Sequence, residues 1–233
     1  MKKILWIGLP LALVLLAEGF YQAIYVAPTE ATMGNIQRIF YYHFPSAIMA
    51  LLFPYVNFIA SIVYLSTRNS NPLRAQAADA LALASAEMTL IFCTIGLATG
   101  MLWARPVWGI WWTWDERLTS FLMLWLIYVS YLLLRRFTAG GQTQTLAAVL
   151  SVFAAIDVPI VYMSIRWWRT QHPSPVIGGG PNSGLDPSMW PAVWWNLAGW
   201  FVWGVMLVTL RYQVERKRQH AHQQSVQQVL ETA

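Results

Sequence analysis

Six long apolar runs constrain the fold of this 233-residue chain more than any other feature of its sequence. A helix needs roughly 20 residues to cross the hydrocarbon of a bilayer, and each run is about that long. The runs are continuous rather than alternating, which favours helices over a β-barrel because a helix satisfies its own backbone hydrogen bonds in lipid. The predicted spans are 4–26, 45–65, 80–103, 118–134, 146–165 and 190–210.

The composition supports a polytopic all-α membrane protein. Of the residues, 57% are hydrophobic and only 11% are charged, a balance that is unusual for a water-soluble domain of this size. Lys2 and Lys3 precede the first run as they would in a signal peptide, but the run is longer than a typical signal core, so we expect a retained helix. Cys93 is the only cysteine, which excludes a disulfide framework within one chain.

The basic residues predict the orientation of the chain. Six spans place both termini on one side, and the segments on that side carry ten of the 15 Lys and Arg residues. By the positive-inside rule, both termini are predicted to be cytoplasmic and three loops face outward. This bias also accounts for the net charge of +5 without a nucleic-acid partner, and no nucleic-acid-binding motif is present.

A tryptophan-rich segment, "VWGIWWTWDERLTS" at residues 107–120, lies in the second outer loop. Tryptophan collects at membrane interfaces as a simple anchor, but four in seven positions is denser than anchoring requires. A cluster of rigid rings offers a flat surface suited to a planar hydrophobic ligand. Thr113 and Glu116 fit a capping box, so Thr113 is predicted to cap the helix that continues into span four. The residues predicted to contact the ligand are Trp108, Trp111, Trp112, Trp114 and Asp115.

Two histidines flank predicted spans on the same outer side. His43 precedes span two in "IFYYHFPSA", and His172 follows span five in "WWRTQHP". Either alone is compatible with an ordinary polar residue, but a pair from different spans could supply both axial ligands of a heme iron. The heme propionates would then pair with an arginine, and spacing alone leaves four candidates open: Arg38, Arg105, Arg117 and Arg166.

Other polar features have a simpler interpretation. Glu18, Glu87 and Asp157 lie within spans, where we expect them to be protonated, paired or hydrogen-bonded between helices, in preference to forming a proton path or heme route. The Gly- and Pro-rich stretch after His172 is expected to be irregular, either a lid or a passive connector.

These motifs resemble the CcmC family of heme-handling membrane proteins in bacterial cytochrome c maturation. The similarity covers about 36–210 and includes the WWD signature "WGIWWTWDERLTS" together with both histidine contexts. It implies axial ligation of heme by His43 and His172, with the tryptophans and Asp115 contacting heme and its acceptor. It also implies a six-helix heme-handling domain at 1–212, with its outer WWD loop at 104–120 and a cytoplasmic tail at 213–233.

The resemblance further implies a non-enzymatic role in the bacterial inner membrane. Heme b would be the cargo, presented at the periplasmic face to a membrane-anchored heme chaperone. The implied partners are ABC-type transporter subunits, a small single-span subunit and the lipid bilayer. Two alternatives remain open from the sequence. They are a b-type electron-transfer cytochrome, which would retain its heme, and a heme permease, which would need a pathway through the spans.

Overall fold

A computed structural model describes residues 2–137, 142–173, 175–177 and 185–232 of the chain. Within these ranges the chain forms six long helices and no β-strand, which confirms the predicted all-α class. The Gly- and Pro-rich stretch that was expected to be irregular lies largely outside the described residues. The helices are α1 Lys2–Tyr21, α2 Phe40–Thr67, α3 Pro72–Trp108, α4 Glu116–Phe137, α5 Thr143–Trp167 and α6 Trp190–Thr232.

All six helices are long and apolar enough to cross a membrane, as predicted. Helices α2 to α5 extend beyond their apolar runs at both ends and α6 does so at its C-terminal end, whereas α1 ends at Tyr21 and its run continues as the π-helix Gln22–Val26. The 3₁₀ turn Asn35–Ile39 leads directly into α2, so His43 lies within the first turns of a helix rather than ahead of it. Helix α6 continues through 213–232 and so includes most of the stretch 213–233 that is predicted to be a cytoplasmic tail.

Helices α2 and α3 form the centre of the bundle, and α4, α5 and α6 pack around them. Helix α1 packs mainly against α6 at the periphery. Gly204 lets α6 approach the central pair closely, since a Cβ at this position would meet the Phe53 ring at 2.8 Å. Phe53 in turn stacks on Phe92 with ring centroids 5.6 Å apart, so the three helices meet at one tightly packed contact.

Ionic contacts connect the ends of the helices that lie away from His43. Arg135 of α4 pairs with Asp79 of α3, and both side chains are about nine-tenths buried. Arg211 of α6 donates to both carboxylate oxygens of Glu87, at 2.6 and 2.8 Å, and also to Glu215 at 3.0 Å. Glu87, which the sequence showed only as an isolated charge within a span, is therefore paired between helices.

The other two acidic residues within spans differ from Glu87. Glu18 accepts a hydrogen bond at 2.8 Å from Gln22, one turn further along the chain. Asp157 has a buried carboxylate oxygen with no partner among the described residues. The expectation of pairing between helices therefore holds for Glu87, whereas Glu18 is bonded along its own helical segment and the unpaired oxygen of Asp157 is compatible with the expected protonated form.

Candidate functional site

A cavity of about 820 Å³ opens near the first turns of α2 and α4, which is within the size range of small-molecule sites. Its walls come from the outer ends of α2, α3 and α4 and from the segments that follow α1 and α5. Both predicted ligand histidines line it, together with two of the predicted tryptophans and one arginine. These lining residues are His43, His172, Trp108, Trp112 and Arg117.

His43 is held by one face of α3. Its Nδ1 lies 3.0 Å from the Thr99 hydroxyl, which donates its only proton to the Ile95 carbonyl at 2.6 Å. The Thr99 oxygen must therefore accept from Nδ1–H of His43, which leaves the Nε2 lone pair free to bind a metal. Trp103 packs edge-on against the imidazole, with ring centroids 5.9 Å apart. Gly100 leaves room for the ring, since a Cβ there would lie 3.3 Å from Cε1 of His43.

His172 has the same tautomer for a different reason. Its Nδ1 lies 2.9 Å from the backbone carbonyl of Pro173, which can only accept, so Nδ1 carries the proton and Nε2 is again free. Burial, together with the nearby positive charge of Arg117, lowers the pKa of His172 to about 4. The imidazole is therefore neutral at neutral pH, which is the form that binds a metal.

The structure divides the predicted tryptophans into two pairs. Trp108 and Trp112 line the cavity, whereas Trp111 is 53% exposed and Trp114 is 76% exposed. Trp112 and Trp114 pack edge to face, with ring centroids 5.6 Å apart, so the inner and outer pairs are in contact. One pair can therefore contact a ligand in the cavity while the other is exposed on the surface.

Asp115 lies beside the cavity rather than among the residues that line it. Its Oδ1 accepts from the Leu118 backbone N–H at 2.9 Å, which makes it the N-cap of α4. The predicted cap by Thr113 is wrong, because α4 begins at Glu116 and the residue directly before a helix occupies the capping position. The other oxygen, Oδ2, accepts from the Thr170 hydroxyl at 3.1 Å.

Among the four candidate arginines, only Arg117 lines the cavity. It donates to the Val161 carbonyl of α5, which fixes its guanidinium beside both histidines. Arg38 donates to the Ala23 carbonyl and Arg105 to the Gly109 carbonyl, and neither lines the cavity. Arg166 lies over the Tyr162 ring, with the guanidinium carbon 4.8 Å from the ring centroid. The position of Arg117 in the cavity wall therefore makes it the candidate for pairing with a heme propionate, a choice among four arginines that sequence spacing left open.

Several buried polar atoms at the cavity have no partner among the described residues. Gln37 is 3% exposed and lines the cavity, yet neither atom of its amide makes a hydrogen bond, although Tyr41 lies near it one turn along. The indole N–H groups of Trp103 and Trp112 are also unpaired. Leaving such groups unpaired costs about 1–3 kcal/mol each, so they indicate a ligand with hydrogen-bonding groups.

The side chains that line the cavity suit a metal ion whose other ligands belong to a cofactor. The described residues contain no group of three or more His, Cys, Asp or Glu that could hold a bare metal ion. Two imidazoles in an aromatic cavity are donors of the kind that could bind a porphyrin iron, and Arg117 and Gln37 are side chains that could bind its carboxylates. Sequence reasoning missed Gln37, Thr99 and Thr170, which show no recognisable spacing.

Comparison with known proteins gives the family. The family model of CcmC, described as heme exporter protein C, matches residues 1–227. Heme exporter protein C of Bradyrhizobium diazoefficiens is 39% identical over 177 residues, and its counterpart in Escherichia coli strain K12 is 29% identical over 207 residues. A ccmC-like mitochondrial protein of Marchantia polymorpha, named for cytochrome c biosynthesis, is 35% identical over 158 residues.

The matches cover most of this chain but different shares of its relatives. They include 75% of this chain and 64% of the Bradyrhizobium protein, 68% and 64% for the Marchantia protein, and 88% and 80% for the Escherichia protein. The first two relatives are thus matched over slightly less than two thirds of their own length. The family is one of exporters rather than enzymes, which confirms the prediction of a non-enzymatic protein. Because the family match extends over nearly its whole length, this chain belongs to the CcmC family of heme exporter proteins.

Proposed function

We propose that this protein binds heme b as cargo in the cavity and delivers it to a membrane-anchored heme chaperone during the maturation of c-type cytochromes. The observation that carries the proposal is that His43 and His172, 129 positions apart in the sequence, line one cavity with free Nε2 atoms. The names of the relatives, heme exporter and cytochrome c biosynthesis protein, support the choice of cargo and pathway.

The residues divide into three roles in this proposal. His43 and His172 are the axial ligands, and Trp108 and Trp112 contact the porphyrin. Arg117 and Gln37 bind the propionates, because a guanidinium and an unpaired amide donor both match a carboxylate. Trp111 and Trp114, which are exposed next to the cavity, contact the acceptor, and Asp115 supports both pairs of tryptophans from the start of α4.

The proposed setting is the bacterial inner membrane, with the cavity facing the periplasm and both termini in the cytoplasm. The excess of Lys and Arg in the segments on the side of the termini supports this orientation. We further propose that the protein works with ABC-type transporter subunits and a small single-span subunit. The exposed tryptophans support transfer to a partner, since aromatic residues are enriched in protein–protein interfaces.

Absorption spectroscopy of the purified protein tests the axial ligands. We expect His43→Ala and His172→Ala each to convert a six-coordinate heme spectrum to a five-coordinate one, because each removes one imidazole. His222→Ala is the matched control, since His222 is exposed on α6 and should leave the spectrum unchanged. If the spectra of both variants match that of the unaltered protein, the assignment is wrong. Heme that stays bound in the presence of the chaperone would instead support the electron-transfer alternative.

A further inference from the structure

A chain of hydrogen bonds connects the tryptophan-rich segment to His172. The Thr170 hydroxyl donates to Oδ2 of Asp115 at 3.1 Å, and the same oxygen of Thr170 accepts from the backbone N–H of His172 at 3.0 Å. The hydroxyl thus uses its one proton and one lone pair in a single bridge. Through this bridge the position of His172 depends on the position of Asp115.

The two histidines differ in what holds them. His43 lies inside α2 and contacts Thr99 and Trp103 of α3, so two packed transmembrane helices fix its position. His172 lies beyond the end of α5 at Trp167, in a short segment without regular structure. Among the described residues, His172 is hydrogen-bonded to the adjacent Pro173 and to Thr170. Motion of the tryptophan-rich segment would therefore displace His172 and leave His43 in place.

The exposed part of the tryptophan-rich segment is directly adjacent to this bridge. Trp114, which is 76% exposed, precedes Asp115 in the sequence and packs against Trp112 of the cavity wall. A partner that docks on Trp114 would therefore also act on Asp115, the residue whose carboxylate accepts the hydrogen bond from Thr170. Trp114 and His172 are thus connected through Asp115 and Thr170, which lie 55 positions apart in the sequence.

From this geometry we propose that Thr170 is a positioning residue that couples acceptor docking to release of the heme iron by His172, while His43 keeps its bond until the acceptor has engaged. The inference rests on the proposed function, since it concerns the same two axial ligands. The step is a ligand exchange: the iron–Nε2 bond of His172 breaks with its electron pair remaining on nitrogen. A nitrogen or oxygen donor of the acceptor then takes the open position, and the iron keeps its oxidation state.

The first test compares Thr170→Val with Thr170→Ser in the purified, heme-loaded protein. Valine has the shape of threonine but no hydroxyl, whereas serine keeps the hydroxyl and the bridge. We expect Thr170→Val to weaken ligation by His172 about 2- to 10-fold, the effect of losing one ordinary hydrogen bond to the backbone of the ligand residue. The spectrum should move towards five-coordinate heme, and added imidazole should restore the six-coordinate form. Thr170→Ser should behave like the unaltered protein.

Two further variants separate the bridge from the helix cap. Asp115→Ser can still cap α4, because serine is a good N-cap, but it is too short to reach Thr170. It should reproduce the spectrum of Thr170→Val, and the two changes together should have no larger effect than either alone. Thr113→Val is the matched control, since the Thr113 hydroxyl also points at Asp115, at 3.4 Å, but makes no contact with His172.

A heme-free measurement gives an independent readout. Carbethoxylation of His172, followed by mass spectrometry, should be faster in Thr170→Val than in Thr170→Ser, while His43 should react equally in both. The proposal would be overturned if Thr170→Val and Thr170→Ser gave the same heme spectrum, the same response to added imidazole and the same reactivity of His172. Loss of ligation by His43 in Thr170→Val would also overturn it. Failure of the proposed function has a different signature, namely the absence of a histidine-ligated heme spectrum in the unaltered protein.

Discussion

At the scale of single residues, the site depends on which imidazole nitrogen carries the proton. The Thr99 hydroxyl places the proton of His43 on Nδ1, and the Pro173 carbonyl does the same for His172. Nε2 is therefore free in both imidazoles. A hydrogen bond to Nδ1–H also makes the imidazole a stronger donor to the metal. The two proposed ligands are therefore alike in chemistry but differ in what holds them, since the partner of His43 is a side chain that can be replaced.

Replacement of Thr99 tests its role as a positioning residue. Thr99→Val removes the acceptor for Nδ1–H of His43 while keeping the shape of the side chain. We expect a 10- to 100-fold weaker affinity for heme and a higher reduction potential, because a less basic imidazole stabilises ferric iron less well. Heme titration and spectroelectrochemistry measure the two quantities. Thr99→Ser keeps the hydroxyl and should restore both, and a potential that is equal in the two variants would contradict the prediction.

The sequence identified residues that have a distinctive local context. His43 and His172 could be proposed because each lies beside aromatic residues at the end of an apolar run. Thr99 and Thr170 could not be proposed, because they contact partners 56 and 55 positions away and their own neighbourhoods are unremarkable. The choice of Arg117 over three other arginines likewise depends on the packing of α4 against α5.

At the scale of helices, the apolar runs predicted the existence of all six but not their ends. Hydropathy measures the part of a helix that lies in lipid, whereas hydrogen bonding and capping decide where the helix begins. Thus α2 begins before its apolar run and includes His43, and Asp115 rather than Thr113 caps α4. The second difference matters for the site, because capping fixes one carboxylate oxygen of Asp115 and leaves the other for Thr170.

Packing of α6 on the central helices gives a prediction about stability. A methyl group at Gly204 would meet the Phe53 ring at 2.8 Å, and Phe53 is itself stacked on Phe92, so neither ring can move freely. We expect Gly204→Ala to destabilise the protein by about 1–3 kcal/mol, the usual cost of overpacking. Gly8→Ala is the matched control, because its Cβ would meet the flexible Met206 side chain at 3.3 Å. Reversible unfolding in detergent measures both, and equal stabilities would contradict the prediction.

At the scale of the whole molecule, the two ends of the bundle have different chemistry. One end carries the cavity, both histidines and the exposed tryptophans. At the other end, ion pairs join α3 to α4 and α6 through Asp79 and Arg135, and through Glu87 and Arg211. Breaking either pair would leave a partly buried charge without a partner, so these contacts hold the helices together far from the cavity. This arrangement allows the cavity end to change while the bundle stays assembled.

The orientation of the chain in the membrane is a property of the whole molecule that labelling can test. Native Cys93 is fully buried, so a membrane-impermeant maleimide should not label the unaltered chain in intact cells. Thr32→Cys introduces a thiol in the exposed connection before α2, on the cavity side, and Ser70→Cys introduces one in the exposed turn between α2 and α3. The two positions flank α2, so they must lie on opposite faces of the membrane.

Because the side with the termini has the larger share of Lys and Arg, we expect labelling of Thr32→Cys in cells whose outer membrane alone is permeable. Ser70→Cys should react only after the inner membrane is opened with detergent, which also serves as its control for thiol reactivity. The reverse pattern would place the cavity in the cytoplasm, where delivery to a periplasmic acceptor is impossible. The docking role proposed for Trp111 and Trp114 and the release role proposed for Thr170 both require the first pattern, since each depends on an acceptor that reaches the cavity from outside.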